Sequence, residues 1–85
     1  MKAYITKYAL TDGIRVVDGT IVATDMFTFE DKGHTIYAYG DEYQLTWEEA
    51  LERAEEMRTK RMESLRKQIE RLEALTFSEP NGKAT

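Results

Sequence analysis

The sequence predicts an α+β protein: an antiparallel sheet of four to five short strands followed by one long C-terminal helix. Three observations carry this. The composition changes near Leu45, with all five tyrosines, Phe27, Phe29 and most β-branched residues before it, a mixture that favours strands. After it come Glu, Arg, Lys, Leu, Met and Ala, the strong helix formers. Turn signals punctuate the first part, and a helix-start signature opens the second.

The elements follow in order. Ala3–Leu10 is expected as the first strand, with Tyr4, Thr6, Tyr8 and Leu10 on one face. Thr11-Asp12-Gly13 is a turn signal. Ile14–Val17 and Thr20–Thr24 flank Asp18-Gly19, which predicts a hairpin, because a type I′ turn needs positive φ at both central residues. Met26–Glu30 and Thr35–Tyr39 flank Asp31-Lys32-Gly33-His34, a second predicted hairpin with Gly33 in the left-handed position. Gly40-Asp41-Glu42 closes the sheet, an antiparallel meander that Tyr43–Leu45 could extend. Thr46 then caps a helix over Trp47–Leu75, with Glu49 three residues on completing a capping box. Glu49–Arg53, Glu56–Lys60 and Glu63–Lys67 are i, i+4 pairs, each worth a few tenths of a kcal/mol. Residues 1–77 are expected to form one domain, sheet over 1–45 and helix over 46–77, and 78–85 a polar, disordered tail.

The helix carries the most information. At 100° per residue its apolar side chains from Trp47 to Leu75 form one broad stripe. Arg58 and Arg61 interrupt it, leaving a first patch from Trp47 to Met57 and a second of Met62, Leu65, Ile69 and Leu72. The 3-4-3 spacing of the second is that of a and d positions in a coiled coil. A helix from Trp47 to Leu75 is about 43 Å long at ~1.5 Å per residue, whereas an eight-residue strand covers about 26 Å. The first patch is therefore expected on the sheet and the second on an overhang. Met62, Leu65, Ile69 and Leu72 are the candidate dimer interface, since a second copy can supply the missing apolar surface. The alternatives are a foreign partner, or a larger sheet or kinked helix that makes the second patch ordinary core.

Composition narrows the function. The chain has 85 residues, a charged fraction of 33% and a net charge of −4. This suits one small domain with a thin core; it argues against general nucleic-acid binding, which needs a basic face. There is no cysteine, so disulfides and thiolate chemistry are excluded. No apolar signal core follows Met1, and no run approaches the ~20 residues of a membrane span. A cytoplasmic protein without membrane contact is expected.

Catalytic motifs are sparse. His34 is the only histidine and falls in a predicted turn without ligand spacing. No Gly-rich phosphate loop occurs, and Ser64 and Ser78 have no histidine near in sequence for a triad. Asp41-Glu42 and Glu48-Glu49 are explained by a turn and a helix start. No enzyme activity, cofactor or metal is expected. The one basic cluster is Arg58, Lys60, Arg61, Arg66 and Lys67. Its plain reading is solvated helix charge paired with Glu55, Glu56, Glu63 and Glu70. Its functional reading makes Arg58, Lys60, Arg61 and Arg66 contacts to an acidic protein surface or to phosphates, with Arg58 and Arg61 foremost because they lie on the stripe. An exposed tyrosine row on the open sheet face would be a further recognition surface.

Two segments carry a family resemblance: Lys7-Tyr8-Ala9-Leu10-Thr11-Asp12-Gly13-Ile14, and Trp47 to Arg58 with Ala50, Arg53-Ala54-Glu55-Glu56-Met57 at its heart. Together with Ser64-Leu65-Arg66-Lys67-Gln68-Ile69-Glu70-Arg71-Leu72-Glu73 and the closing Phe77, they resemble a group of small phage- and prophage-encoded proteins over residues 2–77. The resemblance implies a phage protein in a host cytoplasm that binds a host or phage protein, including defence machinery such as CRISPR complexes, and transfers no functional residue.

Overall fold

The structure is a computed structural model and describes residues 1–79. Its elements are β1 (Lys2–Ile5), α1 (Ala9–Asp12), β2 (Arg15–Ala23), β3 (Met26–Asp31), β4 (His34–Tyr39), a 3₁₀ turn over Gly40–Glu42, β5 (Tyr43–Gln44) and α2 (Trp47–Glu73). One antiparallel sheet runs in the order β4-β3-β2-β1-β5. This is the expected α+β architecture, with β5 as the fifth strand. The disordered tail expected over 78–85 lies mostly outside the described residues.

The hairpin expected at Asp18-Gly19 does not form. Those residues lie inside the single strand β2, which changes partners there: Asp18 pairs with Lys2 of β1, and Gly19 pairs with Phe29 of β3. The missing Cβ of Gly19 serves packing and not a turn. A Cβ there would lie 2.1 Å from the Thr28 carbonyl oxygen and 2.8 Å from the Phe27 ring. The chain reverses instead after Ala23, with Asp25 at φ 59°, a left-handed conformation that aspartate tolerates. The second expected hairpin is present: Lys32 and Gly33 have φ of 52° and 81° between paired Asp31 and His34, as a type I′ turn requires.

The first strand is also shorter than expected. It ends at Ile5, because Thr6 is fully buried and tied sideways: its amide donates to the Glu42 carbonyl at 2.9 Å and its hydroxyl to Gln44 Oε1 at 2.8 Å. Residues Ala9–Asp12 then wind into one helical turn, with the Asp12 amide on the Tyr8 carbonyl at 2.8 Å. Tyr8 and Leu10 therefore do not share a strand face with Tyr4.

The core is Ala3, Ile5, Phe27, Phe29 and Ala38, with Val17 and Tyr43 packed against it. These residues come from all five strands, and the Phe27 ring stacks on Tyr43 at a 5.3 Å centroid distance. No residue of α2 belongs to this cluster. The expectation that the first helix patch covers the sheet needs correction: the curled sheet closes its core largely with its own side chains. The base of α2 rests on the β1–β5 edge and on α1. Ala50 is fully buried there, Trp47 meets Tyr4 at 5.9 Å, and Arg53 pairs with Asp41 at 3.4 Å. Tyr4 lies on the face of β1 opposite Ala3 and Ile5.

Thr46 caps α2 as expected, its hydroxyl oxygen accepting the Glu49 amide at 3.2 Å. The hydroxyl in turn donates to the Glu49 carboxylate at 2.9 Å. The helix ends at Glu73, two residues before the expected Leu75, with a final turn in which the Leu75 amide reaches the Leu72 carbonyl. Its 27 residues span about 40 Å. The radius of gyration is 20.8 Å, against about 12 Å for a compact chain of this length.

Gly19→Ala tests the partner switch in β2. Overpacking against backbone cannot relax, so the cost is expected at ~3 kcal/mol or more, a fall in melting temperature above about 10 °C. Thermal unfolding followed by circular dichroism measures it. An unchanged melting temperature would mean that Asp18-Gly19 forms a turn in solution.

Candidate functional site: the free arm of the long helix

Burial divides α2 at Arg58. Before it, Ala50 is buried and Arg53, Ala54 and Met57 are half-buried; from Arg58 to Glu79 every residue is exposed. The structure thus places the second patch on an overhang, as the length comparison implies. Met62, Leu65, Ile69 and Leu72 retain 44%, 39%, 54% and 66% exposure. Helical geometry puts Leu51, Ala54, Arg58 and these four residues within an arc of about 80°. The stripe is therefore one continuous face, running from the base of the helix to its tip.

The basic residues are less convergent. Arg58 lies within the stripe and Arg61 at its margin, about 20° outside the arc; Arg66 flanks the other side by about 40°. Lys60 faces away, held by Glu56 at 3.5 Å. Among the described residues this is the only ion pair made by Arg58, Lys60, Arg61, Arg66 or Lys67. The pairing of Glu49 with Arg53 is replaced: Arg53 takes Glu56 at 2.9 Å and reaches Asp41 across to the sheet.

At the base of the arm, α1 and α2 enclose a cleft of about 180 Å³ lined by Ala9, Leu10, Leu51, Ala54, Glu55 and Arg58. Sequence reasoning missed it. Its two walls are more than forty positions apart, and residues 9–12 read as strand and turn. The cleft opens on the same face of α2 as the apolar stripe.

Two other surfaces are formed by the sheet. Tyr37 and Tyr39 are exposed on β4 with ring centroids 6.5 Å apart, the tyrosine row the sequence raised. A concavity of about 240 Å³ lies between α1 and β4, walled by Ile5, Phe29 and Ala38, with Lys7, Arg15 and Asp31 at its rim. Its two cations are each paired. Arg15 makes a two-pronged contact with Asp31 at 2.8 and 3.1 Å and lies over the Phe29 ring. Lys7 pairs with Glu42 at 3.4 Å. Hydrogen bonds from Arg15 hold the Asp31 carboxyl below its ordinary range, and the charge of Glu42 raises Lys7.

His34 is exposed at the start of β4. No group of side chains suited to a metal ion occurs among the described residues, and no helix there is long and apolar enough to cross a membrane. No family model matches the chain, and no curated protein or solved structure matches it.

The Arg15–Asp31 pair predicts a pH response. A depressed folded-state pKa stabilises the fold above the unfolded value near 3.9, and that contribution is lost as pH falls through the folded value. The melting temperature of wild type is expected to fall more steeply than that of Asp31→Asn between about pH 5 and pH 2. Parallel slopes would show that the pair contributes nothing in solution.

Proposed function

We propose that this chain is a non-enzymatic contact protein that holds another protein on the free arm of α2. The observation that carries this reading is the stripe of Met62, Leu65, Ile69 and Leu72, which no other described residue covers. Contiguous apolar surface of this kind marks interaction sites. An arm of about 16 residues is also near the length at which an isolated helix is marginal in water. Arg58 and Arg61 suit the role of polar anchors, because arginine presents a planar fork on a stem that packs against apolar surface.

The resemblance to small phage proteins supports a host or phage protein as target, and the class of target we propose is a host defence complex of the CRISPR kind. The sheet and its matched charges act as the scaffold that holds the base of α2. Nucleic acid is a weaker candidate, since the arm's cations are spread around the helix and the chain's net charge is −4.

Affinity capture from a bacterial lysate, with recovered proteins identified by mass, tests this reading. Wild type is expected to retain a defined set of proteins. Leu65→Glu/Ile69→Glu should lose that set, and Arg58→Glu/Arg61→Glu should reduce its recovery at least tenfold. Equal recovery by all three forms would overturn the assignment of contact to the arm.

A further inference from the structure

We infer that the first occupant of the arm is a second copy of this chain, paired antiparallel about a two-fold axis at Lys67. The inference rests on the contact reading above and deepens it, naming the partner and its register.

The stripe is complementary to itself in this arrangement. With the axis at Lys67, Met62 faces the partner's Leu72 and Leu65 faces the partner's Ile69. Repeated by symmetry, this gives four layers, each pairing an a position with a d position, all apolar. The same axis lies within two residues of the middle of the helical arm, which runs from Arg58 to Glu73. Helical residues 61–73 of each arm then lie against each other.

Charge decides the orientation. In a parallel, in-register pair, Arg61 would approach the partner's Arg66 on both flanks, which is repulsive. In the antiparallel pair, Arg58 lies just beyond the end of the partner's helix, within one turn of the partner's Glu73. That gives two symmetry-related ion pairs at the ends of the seam. The two Arg66 side chains approach each other near the axis, with Glu63 and Glu70 on the same flank of each helix to offset them.

The cleft between α1 and α2 supplies a stop. In this register the partner's helix ends, at its Glu73, level with Arg61, and four further residues lead toward the base of the arm as far as its Phe77. Phe77 is 90% exposed in one copy, and the cleft walled by Leu10, Leu51 and Ala54 lies directly ahead of it on the same face. The short helix α1 thus blocks further sliding and gives the end of the partner's chain an apolar seat. The stripe, Leu75 and Phe77 are all exposed in one copy, and a stable interface takes ~800 Å² from each partner.

Light scattering across a micromolar concentration series gives the mass, and the full chain should move from 9.9 kDa to twice that value. Leu65→Glu/Ile69→Glu should remain monomeric with the circular dichroism of a folded sheet and helix, because in one copy those side chains bury little. The absence of cysteine makes crosslinking clean. A mixture of Leu65→Cys and Ile69→Cys chains should form a mixed disulfide, whereas Leu65→Cys alone should not link to itself. Arg58→Glu should weaken the dimer at least tenfold, and adding Glu73→Arg should restore it. A monomer at high micromolar concentration would overturn the inference, while the contact reading would still stand or fall on the capture experiment. Self-linking of Leu65→Cys, or failure of the charge swap, would overturn the antiparallel register. A dimer that survives Leu65→Glu/Ile69→Glu would place the interface elsewhere, on a surface such as the free edge of β4.

Discussion

The contact of the Phe27 ring with Gly19 is the constraint on which the rest of the structure depends. Because Gly19 has no Cβ, β3 can lie directly over β2 at the point where β2 exchanges β1 for β3. The exchange lets the two halves of the sheet curl toward each other, and Phe27 and Phe29 meet Ala3 and Ile5 across the curl. A domain this small has little apolar surface to distribute. Once five strands have spent it on one another, little of their inner face remains for the helix.

That exclusion explains the position of α2. Its base is fixed by small and polar means: the fully buried Ala50, the Thr46 cap, the pairing of Arg53 with Asp41, and the approach of Trp47 to Tyr4. None of these reaches beyond Met57. Past that point the helix relies on propensity and on side-chain pairs worth tenths of a kcal/mol. An apolar stripe maintained over this stretch gains nothing from the chain's own sheet. On the contact reading proposed above, its energetic return would come when another surface covers it, which would couple the order of the arm to association.

The division between base and arm also separates the two kinds of arginine in the helix. Arg53 is internal, fastening the helix to the 3₁₀ turn through Asp41 and along its own surface through Glu56. Arg58 is the first residue beyond the cover of the sheet, and it stands on the apolar face. Placed there, a charged side chain makes an undiscriminating hydrophobic contact costly unless the incoming surface brings an acid. On the proposed contact reading, that would make the stripe selective in register as well as in partner.

Much of this was legible in the sequence. The α+β class, the hairpin over Asp31–His34 with Gly33 left-handed, the Thr46 cap and the apolar spacing of the arm all follow from local rules: φ preference, capping geometry and 3.6-residue periodicity act within a few neighbours. The sequence also determined that the arm would overhang, since a long helix and short strands have lengths that hardly depend on packing. Three things needed the tertiary structure. Asp18-Gly19 carries the local signature of a turn, and only the arrival of Phe27 decides that the glycine is used for close packing. The end of β1 depends on Thr6 bonding to Glu42 and Gln44, partners more than thirty positions away. The cleft beside Leu10 and Leu51 exists because residues 9–12 coil against α2. Local chemistry specifies what each segment is able to do; contacts between distant segments select which of those options is realised, because only they decide which backbone groups and side chains are buried together.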